Sequence, residues 1–319
     1  MHLRSPIEVP EVRRRYWLHA LLFLLTVIST LIVGAELQNS FAANGPPFSS
    51  AETFFQLGWL LSQPSRLLLG VPFSLSLMLI LLAHEMGHYI AARHYRVDAS
   101  LPYFLPAPTL IGTFGAFIRI RSPIHSRHAL FDIGIAGPIA GFVFAVGALM
   151  FGLRLSRIAP ALVESADLQL GYPLVFHAFK GFVPGSPAGM QSVYLHPIAI
   201  AAWVGMFATA LNLLPGGQLD GGHILFALWP AAHKKISRLL IVTLMVMGFA
   251  FWPGWLLWGA ILMAFGRRHP RVPQFPALDR KRQWIGAGAL LIFLVTFTPS
   301  PILGLEILPK MLEFLGRWL

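Results

Sequence analysis

Between Arg15 and Glu36 the chain places twenty residues, YWLHALLFLLTVISTLIVGA (Tyr16–Ala35), with no Asp, Glu, Lys or Arg among them. About 20 mostly apolar residues in a helix match the hydrocarbon thickness of a bilayer. Comparable runs recur at Ser65–Arg93, Ala129–Leu153 and His196–Pro215. In hydrocarbon every backbone N–H and C=O must be paired within the protein, which a helix does by itself. Charged residues make up 12% of the chain, half of the roughly 25% usual in soluble domains. The expected fold is therefore an all-α polytopic membrane protein of about six to seven transmembrane helices.

The remaining chain fits around those spans. Leu239–Trp252 and Trp255–Gly266 are short and joined at Pro253–Gly254, so they read as two crossings or as a re-entrant hairpin. Trp284–Thr298 is the last expected span, and Ile302–Leu319 reads as an amphipathic tail on the interface. Glu36–Ser50 reads as a loop and Ala51–Leu61 as an interfacial or short re-entrant piece. Asp98–Pro123 is apolar but broken by Pro102, Pro106 and Pro108, which excludes a spanning helix. Within it TFGAFIRIRS alternates, giving a short membrane-associated β-hairpin or strand region. Irregular backbone of this kind is tolerated at membrane depth only where protein buries it or a cavity borders it. Three regions follow: 1–64 as an anchor helix with its interfacial segment, 65–230 as a catalytic core, and 231–319 as C-terminal spans and tail.

Charge sets the expected orientation. The chain carries a formal net charge of +11, which reads as the positive-inside bias of a membrane protein rather than as nucleic-acid binding. With the N-terminus inside and alternating crossings, 18 of the 24 Lys and Arg residues fall on the cytoplasmic side. Seven crossings then leave the C-terminus outside, and removal of the first span as a signal leaves six. The expected setting is a multi-pass protein of a bacterial inner membrane.

One span is chemically unusual. LLAHEMGHYI (Leu81–Ile90) sets two histidines and a glutamate in an apolar run. Ionisable groups at membrane depth cost roughly 2.5–3.5 kcal/mol each on insertion scales, so they mark functional sites. HEMGH fits H-E-x-x-H: on a helix His84 and His88 share a face and can meet one zinc ion. Glu85 stands beside them as the general base. Zinc would lower the pKa of its water towards about 7, and the carboxylate would assist attack on a carbonyl. The chain has no cysteine, so a third ligand must be His, Asp or Glu.

The other carboxylates in or beside spans are Asp132, Asp220 and Glu306. Asp220 lies in NLLPGGQLDGGH, where Pro215, Gly216 and Gly217 break a helix, and broken helices inside membranes build binding sites. Asp220 is the expected third ligand; the competing reading is a helix N-cap. Asp132 reads as a structural carboxylate. Asn212 reads either as a substrate-binding or oxyanion-stabilising amide or as interhelical glue. His223 reads as a partner to the ligands or as a polar residue at the cytoplasmic face, and His233 as one of several histidines among cytoplasmic charges. Gly137 and Gly141 form a G-x-x-x-G face that permits close helix approach.

His84-Glu85-x-x-His88 and the later Asn212-x-x-Pro215-x-x-x-Leu219-Asp220-Gly221 together resemble the site-2 protease family of intramembrane zinc metalloproteases. GTFGAFIRIRSP and DIGIAGPIAG are similar to that family's membrane-associated β-region and core helix. The resemblance covers about Phe73–Pro230. It implies zinc held by His84, His88 and Asp220, Glu85 as base, and Asn212 close to the substrate strand. It also implies transmembrane protein substrates, with an upstream site-1-type protease as a partner. Arg154–Tyr194 is too short for the PDZ domain of many bacterial members, so the chain is similar to the PDZ-lacking branch. A membrane-face metalloprotease of another class and a non-proteolytic zinc transporter or scaffold are the competing readings. The first usually takes a Glu as third ligand, and a transporter would spread ionisable groups over more spans.

Overall fold

The first apolar run forms α1 (Tyr16–Ala42), longer than the span expected to end at Ala35. Glu36, Leu37 and Gln38 are good helix formers, and Glu36 and Leu37 are buried, so packing carries the helix into the first half of the expected loop. The computed structural model describes residues 16–46, 48, 57–265 and 277–308. The expected interfacial piece at Ala51–Leu61 lies partly outside these, as does the end of the expected amphipathic tail.

A 3₁₀ turn (Pro64–Gly70) leads into α2 (Val71–His94), where Pro72 occupies the first turn. There its missing N–H costs no helical bond. Arg93 and His94 complement the dipole at the other end. The next helix, α3 (Arg127–Leu155), begins at Ser126, whose hydroxyl accepts the Ala129 N–H at 3.1 Å. By length and composition α1, α2 with its 3₁₀ lead-in, and α3 are long and apolar enough to cross a membrane.

Between α2 and α3 the chain forms an antiparallel hairpin. Strands β1 (Tyr103–Pro106) and β2 (Thr113–Phe117) pair Tyr103 with Phe117 and Phe104 with Ala116. The pairing continues past β2 as an Ala99–Ile120 bridge. The hairpin lies along α1. His19 Nδ1–H donates to the Pro102 carbonyl at 3.1 Å, and the Ser29 hydroxyl donates to the Gly112 carbonyl at 2.6 Å. Gly112 has φ +77°, and a Cβ there would sit 2.8 Å from the Ser29 carbonyl oxygen, so only glycine closes this turn against the helix.

The described chain continues with α4 (Pro197–Asn212), α5 (Asp220–Leu228), α6 (Pro230–Ala250), α7 (Gly254–Phe265) and α8 (Arg280–Thr296). α2, α3 and α4 pack on one another, α5 lies against α3, and α6 and α7 form a helical hairpin. The main apolar cluster runs through Phe73, Leu77, Leu149, Leu153 and Met206. The segment between α3 and α4 caps this cluster. Its short strands β3 (Arg157–Ile158) and β4 (Val193–Tyr194) pair antiparallel, and Val175, Phe176 and Met190 join the core. Arg127, which composition places among solvated cytoplasmic cations, is buried instead. Its Nε–H donates to the Ala227 carbonyl at 2.8 Å, capping the end of α5.

Helix α8 is held at both ends. Arg282 grips Asp132 of α3 bidentately, at 2.9 and 2.6 Å, and donates to the Tyr95 hydroxyl at 3.2 Å. Tyr95 in turn donates to Asp132. Asp279 accepts the Arg282 backbone amide and its guanidinium, which hold its carboxyl below the usual range. At the far end the Trp255 indole donates to the Pro299 carbonyl at 2.6 Å. Asp132 is thus a structural carboxylate. Replacing Arg282 by Ala strips the charged partner from Asp132, and hydrogen bonds to charged groups contribute about 1.5–3 kcal/mol. We expect a clear drop in melting temperature in detergent for Arg282→Ala, with Arg282→Lys restoring little of it because the planar fork is lost. An unchanged melting temperature for Arg282→Ala would show that this clamp does not hold α8 in place.

Candidate active site

His84, Glu85 and His88 are 6%, 5% and 6% exposed, on the face of α2 turned into the helix bundle. Helical spacing aligns the two imidazoles, but α3 fixes their positions. A Cβ built at Gly137 would lie 2.1 Å from His88 Nε2, and one at Gly141 would lie 3.0 Å from His84 Nδ1. The two glycines therefore let the α3 backbone press directly on the rings. His88 Nδ1 lies 2.7 Å from the Ile133 carbonyl. A carbonyl only accepts, so Nδ1 carries a proton, and in the neutral ring Nε2 presents a lone pair. Pro138, in the adjacent turn of α3, has no N–H to give and loosens the helical ladder nearby.

The third group arrives from a broken helix. After Asn212 the chain turns through Leu213–Leu219 and re-enters a helix at Asp220. The N-cap of α5 is Leu219, with no side-chain cap bond, so the N-cap reading of Asp220 falls. Its carboxylate points at the histidines instead: Oδ2 is 3.3 Å from His84 Nε2 and 3.2 Å from His88 Nε2. The two Nε2 atoms are 3.1 Å apart.

These distances test whether a metal fits. Tetrahedral bonds of 2.0–2.1 Å to nitrogen and oxygen place ligand atoms about 3.3 Å from one another, close to all three observed edges. The donor set agrees: an ionised carboxylate and the Nε2 lone pairs of two neutral imidazoles are all ligands a divalent cation accepts. Among the described residues His84, His88 and Asp220 are the group of His, Asp and Glu side chains positioned to hold a metal. The Ile133 carbonyl behind His88 is the outer partner that metal-ligating histidines usually have.

Around the triad is a cavity of about 220 Å³ lined by His84, Glu85, His88, Asn212, Asp220, Ala116 and Phe117 of β2 and Ile118 just after it, among others. Asn212 Nδ2 is 3.3 Å from His84 Nε2, so the amide borders the triad rather than a distant helix contact. The backbone amide of Ile118 faces the Glu85 carboxylate. His223 lines the same cavity. A larger cavity, about 430 Å³, lies behind α5 against α8, lined by apolar residues such as Leu213, Leu225, Leu290 and Phe293. It does not include the triad.

The family model for peptidase family M50 matches residues 72–252, the stretch that holds all of these groups. The chain belongs to peptidase family M50. Curated relatives agree with the M50 assignment. The chain is 31% identical over 310 residues to the probable zinc metalloprotease EGY1, chloroplastic, of Oryza sativa subsp. japonica, covering 92% of this chain and 52% of the relative. It is 30% identical over 312 residues to the Arabidopsis thaliana protein of the same name, covering 92% and 54%. It is 29% identical over 247 residues to the probable zinc metalloprotease EGY2, chloroplastic, of Arabidopsis thaliana, covering 73% and 42%. The M50 chain thus spans about half the length of these relatives. Their names place them in chloroplasts, so the comparisons lend nothing to a bacterial inner membrane.

Sequence reading alone misses how the M50 site is braced. His233, expected among solvated charges, is 6% exposed. Its Nε2 lies 3.3 Å from the Gly217 carbonyl, while the Gly217 N–H points at Ser237 Oγ at 3.4 Å. One turn of α6 thereby holds the peptide three residues before Asp220. The signal was faint: His233 and Ser237 stand four apart in the helix, and nothing local reveals what they face.

Proposed function

We propose that this chain is an intramembrane zinc endopeptidase, hydrolysing peptide bonds in or near transmembrane segments of membrane proteins. The observation that carries this reading is the triangle of His84, His88 and Asp220 with Glu85 beside it, inside apolar helices. His84 lies nine residues before Arg93, which places it about 14 Å along the helix from that basic end.

When bound at the triad, zinc supplies a Lewis acid and a water acidic enough to ionise near neutral pH. Glu85 takes the proton of the attacking water and returns it to the leaving amine. The Asn212 amide, at the edge of the triad, donates to the carbonyl oxygen as negative charge grows there. A helical peptide bond is shielded by its own hydrogen bonds, so the substrate must unwind. The edge of β2 that borders the cavity receives the unwound segment as an added strand. The basic ends of α2, α3 and α8 face the cytoplasm or its organellar equivalent, and an earlier cut by another protease prepares the substrate.

The test is the purified full chain in vesicles with a single-span reporter. We expect zinc-dependent cleavage, and for Asp220→Ala a loss of both bound zinc and cleavage. Stoichiometric zinc with no cleavage of any single-span reporter would favour a scaffold or transporter, and Asp220→Ala retaining wild-type zinc would sink the ligand assignment.

A further inference from the structure

The strand that borders the cavity has a charged continuation that the reaction itself does not use. The Ser100 N–H donates to the Arg119 carbonyl at 3.0 Å, and the Arg121 N–H donates to the Asp98 carbonyl at 2.8 Å. The polar backbone groups of Arg119 and Arg121 therefore point to the inner strand. Alternation sends those of Ala116, Ile118 and Ile120 to the opposite edge, where the Ile118 amide meets Glu85. Side chains alternate as well. Ile118 and Ile120 pack into the apolar cluster of Ala92, Val97 and Ala129. Phe117, Arg119 and Arg121 occupy the other face, and Phe117 is 46% exposed. Along this face the strand changes from aromatic to cationic as it runs from the hairpin turn at α1 towards the basic end of α3.

A strand added to this edge sets its side chains about 4.5–5.5 Å from their cross-strand neighbours. At that distance opposite charges attract and like charges repel. The inner strand places Ser100 opposite Arg119, and the Ser100 hydroxyl accepts the Arg119 N–H at 2.9 Å. Among the described residues no ion pair involves Arg119. Asp98 stands across from Arg121 in the pairing, whereas Arg119 faces the uncharged Ser100. Arg93 and Arg96, both exposed near the start of the inner strand, add to the positive field. Arg119 is thus the cation with the greatest pull on an incoming strand.

We propose that this edge selects membrane-protein segments carrying acidic side chains, at alternate positions, where the unwound strand leaves the bilayer on the protein's basic side. An ordinary span carries Lys or Arg there and would face like charge, so the same row rejects the common flank. The proposal rests on the protease reading above and deepens it.

The experiment uses the full chain in phosphatidylcholine vesicles with three single-span reporters that differ only in flanking Asp-x-Asp, Asn-x-Asn or Lys-x-Lys. We expect the Asp reporter to be cleaved about tenfold more efficiently than the Lys reporter, the sum of one or two cross-strand charge effects. The ratio should shrink as salt rises. Arg119→Glu should invert the order, and the milder Arg119→Gln should bring the ratio towards unity. Equal cleavage of all three reporters by the wild type overturns the proposal and leaves the protease reading standing. A wild-type ratio retained in Arg119→Gln also overturns it. Cleavage of none of the three overturns the protease reading and the proposal with it.

Discussion

Glu85→Gln is expected to reduce peptide hydrolysis by about a thousandfold while leaving zinc bound. A positioned general base contributes roughly 10²–10⁴ to rate, and the substitution removes the base with almost no change in shape. Zinc content should hold because His84, His88 and Asp220 form the triangle without Glu85. Stability should hold as well. Glu85 is 5% exposed, and a neutral amide is cheaper to bury than an ionised carboxylate. The Ile118 amide that faces the carboxylate can donate equally to the side-chain carbonyl of the glutamine. The measurement pairs zinc analysis and melting temperature with single-turnover cleavage of a reporter. Wild-type cleavage by Glu85→Gln would refute the base assignment. Loss of zinc would move Glu85 among the ligands or their supports. The inactive, metal-loaded variant also retains the strand-binding edge, so it should hold uncleaved segments long enough to be cross-linked and identified.

The contrast between Glu85 and Asp220 shows how far sequence carries. HEMGH is legible because both histidines and the glutamate sit on one helix, and helical geometry alone aligns them. Asp220 lies 132 residues beyond His88, so helical spacing could not align it; scarcity of carboxylates, the helix-breaking Pro215-Gly216-Gly217 and the family resemblance of the later motif pointed to it. The helices α2, α3 and α4 were legible to within a few residues because each is a long apolar run, although α4, at 16 residues, is shorter than the span expected at His196–Pro215. The end of α1 was not, because burial of Glu36 depends on what packs against it. Arg127 and His233 failed for the same reason: each is polar and flanked by charges, yet each directs its nitrogens at backbone carbonyls of a distant element. The hairpin was legible as a broken, alternating segment. The direction its edge faces depends on hydrogen bonds between residues 98–100 and 119–121, which no periodicity specifies.

Gly137→Ala should lower zinc affinity at least a hundredfold, more than a methyl group on a helix would ordinarily do. G-x-x-x-G reads in sequence as a surface for helix approach, but here what approaches is a ligand ring. The added Cβ would lie 2.1 Å from His88 Nε2, where ordinary contacts begin near 3.4 Å, so something must move by more than an ångström. His88 cannot swing away without breaking its 2.7 Å bond to Ile133. The helices are already close elsewhere: a Cβ at Gly87 would be 2.5 Å from the Ala136 carbonyl. Separation of α2 from α3 therefore shifts both imidazoles against Asp220, which is anchored on a different element. Metal ligands tolerate displacements of about 0.2 Å, and disturbing even an outer partner costs 10–100-fold in affinity. Gly147→Ala on the same helix is the control, because a Cβ there meets nothing within 4 Å. It should bind zinc as the wild type does and gain up to about 1 kcal/mol of helix propensity. Titration against a chelator of known affinity measures both variants. If Gly137→Ala holds zinc as tightly as Gly147→Ala, the α3 backbone is not what sets the ligand geometry, and the bracing role given to that helix fails.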